Sequence, residues 1–208
     1  MRKAHAWNDE AALDDFLHNM EIGHLTTIDA EGWPLTVPLN YVWHGGNIFF
    51  HTGPGEKMAN LRANPKVSFT VTEALGLLTS DFTNAPCHDT QLGRSVFIRG
   101  LAHEIAEPER KQRILGKIIA KYDPKFAAAS GDDENFSPES IMEQPSFQAC
   151  QVVEIVAASL SGRRHLLSDK PEKYRKAVAA HFQRLGQETG RERDLATARL
   201  IFQNLDII

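Results

Sequence analysis

The sequence predicts a mainly β fold, a small barrel of about six antiparallel strands with helices at its periphery. Three observations carry that prediction. Short runs from Ile22 to Ile105 alternate apolar and polar residues with the period of a half-buried strand. Glycine, proline, aspartate and asparagine punctuate the chain between those runs. Helical spacing of apolar residues is confined to a short leader, to insertions between strands and to the end of the chain.

The elements follow in order. After Asn8, placed to cap, Asp9–Asn19 carries Leu13, Phe16 and Leu17 at helical spacing. Ile22–Ile28 alternates as a strand, Asp29-Ala-Glu-Gly32 turns, and Trp33–Trp43 is expected to resume as one strand. Its prolines at 34 and 38 suit an edge or a bulge. His44-Gly-Gly-Asn47 is a tight-turn sequence, so Asn47–His51 should run antiparallel to its predecessor. Lys57 opens a short helix with Met58, Leu61 and Arg62 on one side, and Asn64-Pro65 stops it, because proline disfavours the helical conformation of the residue before it. Lys66–Thr72 is a strand that LGLLTSDF could extend, and TNAPCHDTQLG reads as an irregular loop. Arg94–Ile105 alternates clearly, with Gly100 marking a bulge or bend. Glu107-Pro108-Glu109 begins an amphipathic helix reaching Tyr122, with Ile114, Ile118 and Ile119 inward. An acidic loop containing SGDDENFSPES follows, then a last strand over Gln148–Ala157 and a basic turn at SLSGRRH. Tyr174, Val178, Phe182 and Leu185 trace one terminal helix, and Leu195, Phe202 and Leu205 another. Residues 1–165 are thus expected to form the barrel, and 166–208 a helical extension packing on it or on a partner subunit.

At 208 residues, 42% hydrophobic and 24% charged, the chain is long enough for one substantial core. No apolar run has the length of a membrane span, and the N-terminal stretch turns acidic where a signal peptide turns apolar, so a cytoplasmic protein is expected. Cys87 and Cys150 form no CxxC pair and should be reduced thiols, and the nine histidines lack metal-ligand spacing, so no metal is expected. The net charge of −4 is uneven: from Ser159 onward ten Lys and Arg face six Asp and Glu. Those basic residues alternate with acids on helical stretches and lack interleaved aromatics, which fits a solvated face and no nucleic acid.

The segment Pro38–Thr72 concentrates the chemistry. A strand ending at His51 feeds Thr52-Gly-Pro-Gly55 and then a helix start, which directs unpaired backbone N–H groups and the Lys57 ammonium at one place. That outlines a phosphate site. It is not a Walker loop, because Met58 follows the lysine where Ser or Thr would hold magnesium. The same pattern also fits a surface turn with a solvated lysine.

Taken together, IGHLTTIDAEGWPLTVPLNYVWHGGNIFFHTGPGEKMANLRANPKVSFTV, SVFIRGLAHEIAEPERKQRILGKIIAKYDP and VVEIVAASLSGRRH resemble the flavin-binding split-barrel proteins related to pyridoxamine 5′-phosphate oxidase, most of all the nitroimidazole-resistance type. The resemblance covers roughly residues 9–165. It implies FMN at a homodimer interface with its phosphate on Lys57, and the flavin ring along the backbone of Pro38, Leu39 and Asn40 and of Phe50, His51 and Thr52. Ser95 and Val96 match a second contact region. It also implies an oxidoreductase that passes electrons from a small-molecule donor to a small electrophilic acceptor such as a nitro compound or quinone. The alternative is a non-catalytic flavin- or haem-binding storage or sensor protein. His51 matches a histidine the resemblance sets near flavin or substrate; it either moves a proton or is a packed strand-end histidine. The tryptophan-glycine segment of the pyridoxamine-phosphate oxidases proper is missing before the last strand, where SFQACQVVEI stands, so oxidation of pyridoxamine phosphate itself is not expected.

Overall fold

The structure, a computed structural model, describes residues 5–83, 86–123, 125, 145 and 149–205. Eight strands form one antiparallel sheet in the order β3-β2-β6-β7-β8-β5-β4, with β1 paired to β8. The strands are β1 (Ala6–Trp7), β2 (Ile22–Ile28), β3 (Pro34–Asn40), β4 (Val42–His44), β5 (Asn47–Thr52), β6 (Lys66–Leu78), β7 (Thr90–Glu104) and β8 (Gln151–His165). Helices α1 (Glu10–Asn19), α2 (Glu56–Ala63), α3 (Ser80–Thr83), α4 (Pro108–Tyr122), α5 (Glu172–Thr189) and α6 (Glu192–Gln203) complete the described elements, with a short 3-10 turn at Pro86–His88. The SGDDENFSPES loop lies outside the described residues.

Two compact units interleave along the chain, the first from residues 1–9, 72–96 and 161–208, the second from 10–71 and 97–160. In the second unit the hairpins form as their turn chemistry requires. Gly45 and Gly46 both have positive φ (57° and 79°), and His44 pairs with Asn47 across them, the geometry that matches strand twist. At the β2–β3 turn, the Asp29 carboxylate accepts from the N–H groups of Glu31 (2.9 Å) and Trp33 (2.8 Å). At Gly100 a Cβ would stand 2.4 Å from the Val156 carbonyl oxygen, so glycine admits a close approach of β8.

The expected single strand Trp33–Trp43 is divided at Tyr41, and its two parts lie at opposite ends of the sheet order. Proline-bearing β3 is an edge strand, as the sequence indicates. The division has a specific cause. Tyr41 N–H donates to the Tyr122 hydroxyl (2.9 Å), and the Tyr41 carbonyl accepts from Lys121 Nζ (3.0 Å) and lies 2.8 Å from that hydroxyl, whose one proton Glu21 O (2.6 Å) also faces. Both backbone groups of Tyr41 are therefore held by side chains of α4, and its own hydroxyl donates to Leu17 O (2.8 Å). The ammonium also lies 4.1 Å from the Tyr41 ring centroid. Burial pushes the Lys121 pKa down to about 8, an effect that Glu21 partly offsets. Helix α4 buries Ile114, Leu115 and Ile118 against Val42, Phe49 and Val152.

In the first unit, β6 does extend, to Leu78, and β8 runs on through the expected basic turn to His165, where β1 pairs with it (Ala6 with Arg163, Trp7 with Gly162). Trp7 is buried with the guanidinium groups of Arg94 and Arg164 at 5.6 and 5.9 Å from its ring. Helix α5 ends on Gly190 in the left-handed conformation (φ 70°). Helices α5 and α6 bury Val178, Ala179, Phe182, Ala198 and Ile201 against Leu75, Leu78 and Leu92 of the strands. The buried face of α6 is Asp194, Thr197, Ala198 and Ile201, whereas Phe202, expected inside, is exposed. Thr197 is inside because its hydroxyl accepts the Gly76 N–H (2.7 Å), and Gly76 leaves room there for the Phe182 ring.

Candidate functional site

The strand–turn–helix of the second unit assembles as its residues dictate. Strand β5 buries Ile48, Phe49, Phe50 and Thr52 and exposes His51. Its partner on one side is β8, with His51 opposite Val152, and on the other β4. Gly53, Pro54 and Gly55 turn the chain, and a Cβ on either glycine would meet nothing within 4 Å. Gly55 has φ 154°, and its carbonyl accepts the N–H groups of Met58 (3.0 Å) and Ala59 (3.1 Å). The N–H groups of Glu56 and Lys57 thus precede the first intrahelical bond and lie at the positive end of the helix.

Helix α2 is fixed by Met58 and Leu61, both buried, and by Asn60, whose side-chain amide donates to Thr27 Oγ1 (3.1 Å). Arg62, expected on that face, is at the surface paired with Glu104 (3.0 Å). The helix stops at Asn64, whose N–H returns to Asn60 O (2.7 Å) and whose side chain accepts the Lys66 N–H (3.1 Å). Lys57 is half-buried in the first turn, and Glu56 beside it is exposed.

His51 is not a packed core histidine. It is exposed at the end of β5, and partial shielding of its ring, followed by the charge of Lys57, holds its pKa below the usual imidazole value. Both effects favour the neutral ring, and the second couples it to the lysine. Strand β3 approaches β5 to within 8 Å between Cα atoms. Pro38 and Asn40 are exposed, Leu39 is half-buried and Phe50 is fully buried, so at Phe50 only the backbone is available to a ligand. Ser95 and Val96 fall in the first unit: Val96 is fully buried, and Ser95 lines a cavity of about 290 Å³ with Glu73, Arg94 and Arg163.

The profile of the pyridoxamine 5′-phosphate oxidase family matches residues 9–164. The chain belongs to that family. No curated protein matches it in sequence. Among solved structures, the fold is shared with a candidate 5-nitroimidazole antibiotic resistance protein from Bacteroides thetaiotaomicron, at 21% identity and TM-score 0.59 over 76% of this chain and 85% of that one. It is shared too with a conserved hypothetical protein from Mycobacterium tuberculosis, at 24% identity and TM-score 0.62, covering 83% and 94% of the two chains. A third likeness is the FAD and heme binding protein from Mycobacterium smegmatis, at 16% identity and TM-score 0.61, covering 83% and 79%. These likenesses establish the split-barrel fold of the family. No helix of the described residues is long and apolar enough to cross a membrane.

The turn, Lys57 and His51 are legible in the sequence, but the side chains that fix the end of β3 are not. The Tyr41–Lys121–Tyr122 cluster that ends β3 just after Asn40 has no local signal, since its members are some eighty positions apart. The imidazole–ammonium coupling between His51 and Lys57 also needs the turn's geometry to be seen.

Proposed function

We propose that this protein is a cytoplasmic, homodimeric FMN-binding oxidoreductase that passes reducing equivalents from a nicotinamide nucleotide or another small donor to a small electrophilic acceptor such as a nitro compound or quinone. Family membership supports a flavin oxidoreductase in general, and the observation that carries FMN is the turn before α2. Two glycines without steric neighbours, the leading N–H groups of a helix and the half-buried Lys57 ammonium form a donor set suited to a phosphate dianion. Bound there, the flavin would supply the electron chemistry. The chain's own residues do the rest. Lys57 neutralises the phosphate, the backbone of Pro38–Asn40 and of Phe50–Thr52 offers hydrogen bonds to the ring edge, and neutral His51 can accept a proton at its ring nitrogen.

The homodimer rests on an apolar patch. Phe97 and Leu101 on β7, with Val156 and Leu160 on neighbouring β8, are each between 36% and 42% exposed. Of the aromatic residues Trp33, Tyr41 and Trp43, the last two are core residues, Trp43 tied by its indole N–H to Asp14 (2.6 Å). Only Trp33, 70% exposed, is available.

The deciding experiment is titration of flavin-free protein with FMN, followed by fluorescence. Lys57→Ala should weaken binding by about tenfold to a hundredfold, the scale of about 1.5–3 kcal/mol for a charge-assisted contact. Lys57→Arg should keep part of the affinity. Equal dissociation constants for wild type and the alanine variant would remove Lys57 from the phosphate site.

A further inference from the structure

Strand β3 pairs only with β2, in a register that ends with Asn40 opposite Ile22. One residue later the chain leaves for β4, at the far end of the sheet order. The last residues of β3 are therefore fixed on one side by a ladder and at their end by the bonds to Tyr41, which come from the last turn of α4. Lys121 Nζ donates to the carbonyls of Met20 (2.7 Å) and Tyr41 (3.0 Å), so one ammonium ties the entry to β2 to the exit from β3. The Tyr122 hydroxyl accepts the Tyr41 N–H (2.9 Å) and is hydrogen-bonded with the Asn40 side chain, whose amide nitrogen also lies 3.5 Å from Glu21 O. With a pKa pushed down to about 8, Lys121 is still charged at neutrality, and its bonds are charge-assisted.

The same helix grips the strand that carries His51. Ile114, Leu115 and Ile118 share one core cluster with Val42 of β4, Phe49 of β5 and Val152 of β8. Arg110, in the first turn, reaches Glu154 of β8 (2.6 Å) and lies 6.0 Å from the Phe49 ring. Helix α4 is thus joined to β5 by its apolar face and to the end of β3 by its last two residues. It braces two strands that approach within 8 Å between Cα atoms although four others separate them in the sheet order. Burying an ammonium costs desolvation that an apolar side chain would avoid. What Lys121 adds is direction, two bonds aimed at two particular carbonyls.

We propose that Lys121 and Tyr122 are positioning residues for the flavin ring: by fixing Asn40 and Tyr41 they set the spacing between the backbone of Pro38–Asn40 and that of Phe50–Thr52. They act through the strand, because their bonds end on Met20, Asn40, Tyr41 and Glu21. This assignment rests on the flavin reading above and concerns the ring alone, leaving the phosphate to Lys57.

Titration of the flavin-free full chain with FMN and with riboflavin, which carries the ring without the phosphate, tests it. Lys121→Met should weaken both ligands by the same factor, about fivefold to tenfold, as when the binding-competent spacing is populated only about a fifth to a tenth of the time. Lys57→Ala should weaken FMN and leave riboflavin unchanged. Lys121→Arg, which keeps a charged donor, should recover part of the loss. If Lys121→Met does not fold, Tyr122→Phe is read in its place. At saturating FMN the visible absorption band of the bound flavin should shift in Lys121→Met and stay in place in Lys57→Ala, which decides the matter where riboflavin binds too weakly to titrate. The proposal fails if Lys121→Met binds riboflavin like the wild type, if the band of its bound FMN is unshifted, or if FMN alone is weakened. A wild-type protein that binds neither ligand would remove the flavin reading and this inference together, whereas a variant indistinguishable from a wild type that binds both removes this inference only.

Discussion

Replacing Tyr122 by phenylalanine removes one oxygen from the corner at Tyr41, and the structure says which partner suffers. That oxygen accepts the Tyr41 N–H (2.9 Å) and lies within donating distance of Glu21 O (2.6 Å) and Tyr41 O (2.8 Å). Glu21 is exposed, so water can replace the lost donor there, and Tyr41 O retains Lys121 Nζ at 3.0 Å. The Tyr41 N–H has no such substitute, because Tyr41 is fully buried. Leaving a buried donor unsatisfied costs about 1–3 kcal/mol. With a urea m-value of about 2 kcal/mol/M, a loss of about 2 kcal/mol moves the unfolding midpoint down by about 1 M at unchanged slope. Adding Lys121→Met should cost more than the two single changes summed, because together they strip the Tyr41 carbonyl of both donors. A Tyr122→Phe protein that unfolds at the wild-type urea concentration, or a strictly additive double variant, would show that the corner is not held by these bonds.

His51→Gln should leave FMN binding intact and slow flavin reduction or turnover by about 10²- to 10⁴-fold. Because its pKa is lowered from the imidazole value of 6.5, the wild-type rate should hold at neutrality and fall as acid protonates the ring, a dependence the variant lacks; an unchanged rate per loaded dimer refutes the role. Gly76→Ala would set a methyl 2.2 Å from a Phe182 ring carbon that cannot move aside, so thermal or urea unfolding should report about 1–3 kcal/mol lost, partly restored by Phe182→Leu; a fully stable Gly76→Ala would contradict the packing described. Sedimentation equilibrium at micromolar concentration should give a dimer, and Phe97→Asp with Leu101→Asp a monomer; a wild-type monomer with flavin bound would overturn the homodimer.

Much of this fold was readable locally. The Gly-Gly hairpin, the Asn64-Pro65 stop and the Pro108 start each carry their cause within a few residues. What escaped is non-local. The stretch from Val37 to Trp43 carries no turn signal, and the break at Tyr41 comes from side chains on a helix far along the chain. Likewise, Phe202 looks like a core residue and Thr197 does not, until Thr197 is seen to cap the Gly76 N–H. At the candidate site, the sequence shows which residues are present, while the exposure of His51 and its coupling to Lys57 depend on where β5 ends.

Strand β1 is only two residues long, yet it occupies the hydrogen-bonding edge of β8 at Gly162 and Arg163, with Trp7 sealing the join. An open strand edge is a template for pairing with another chain. Loss of Ala6 and Trp7 would uncover that edge. The expected result of removing this pairing is self-association through β8.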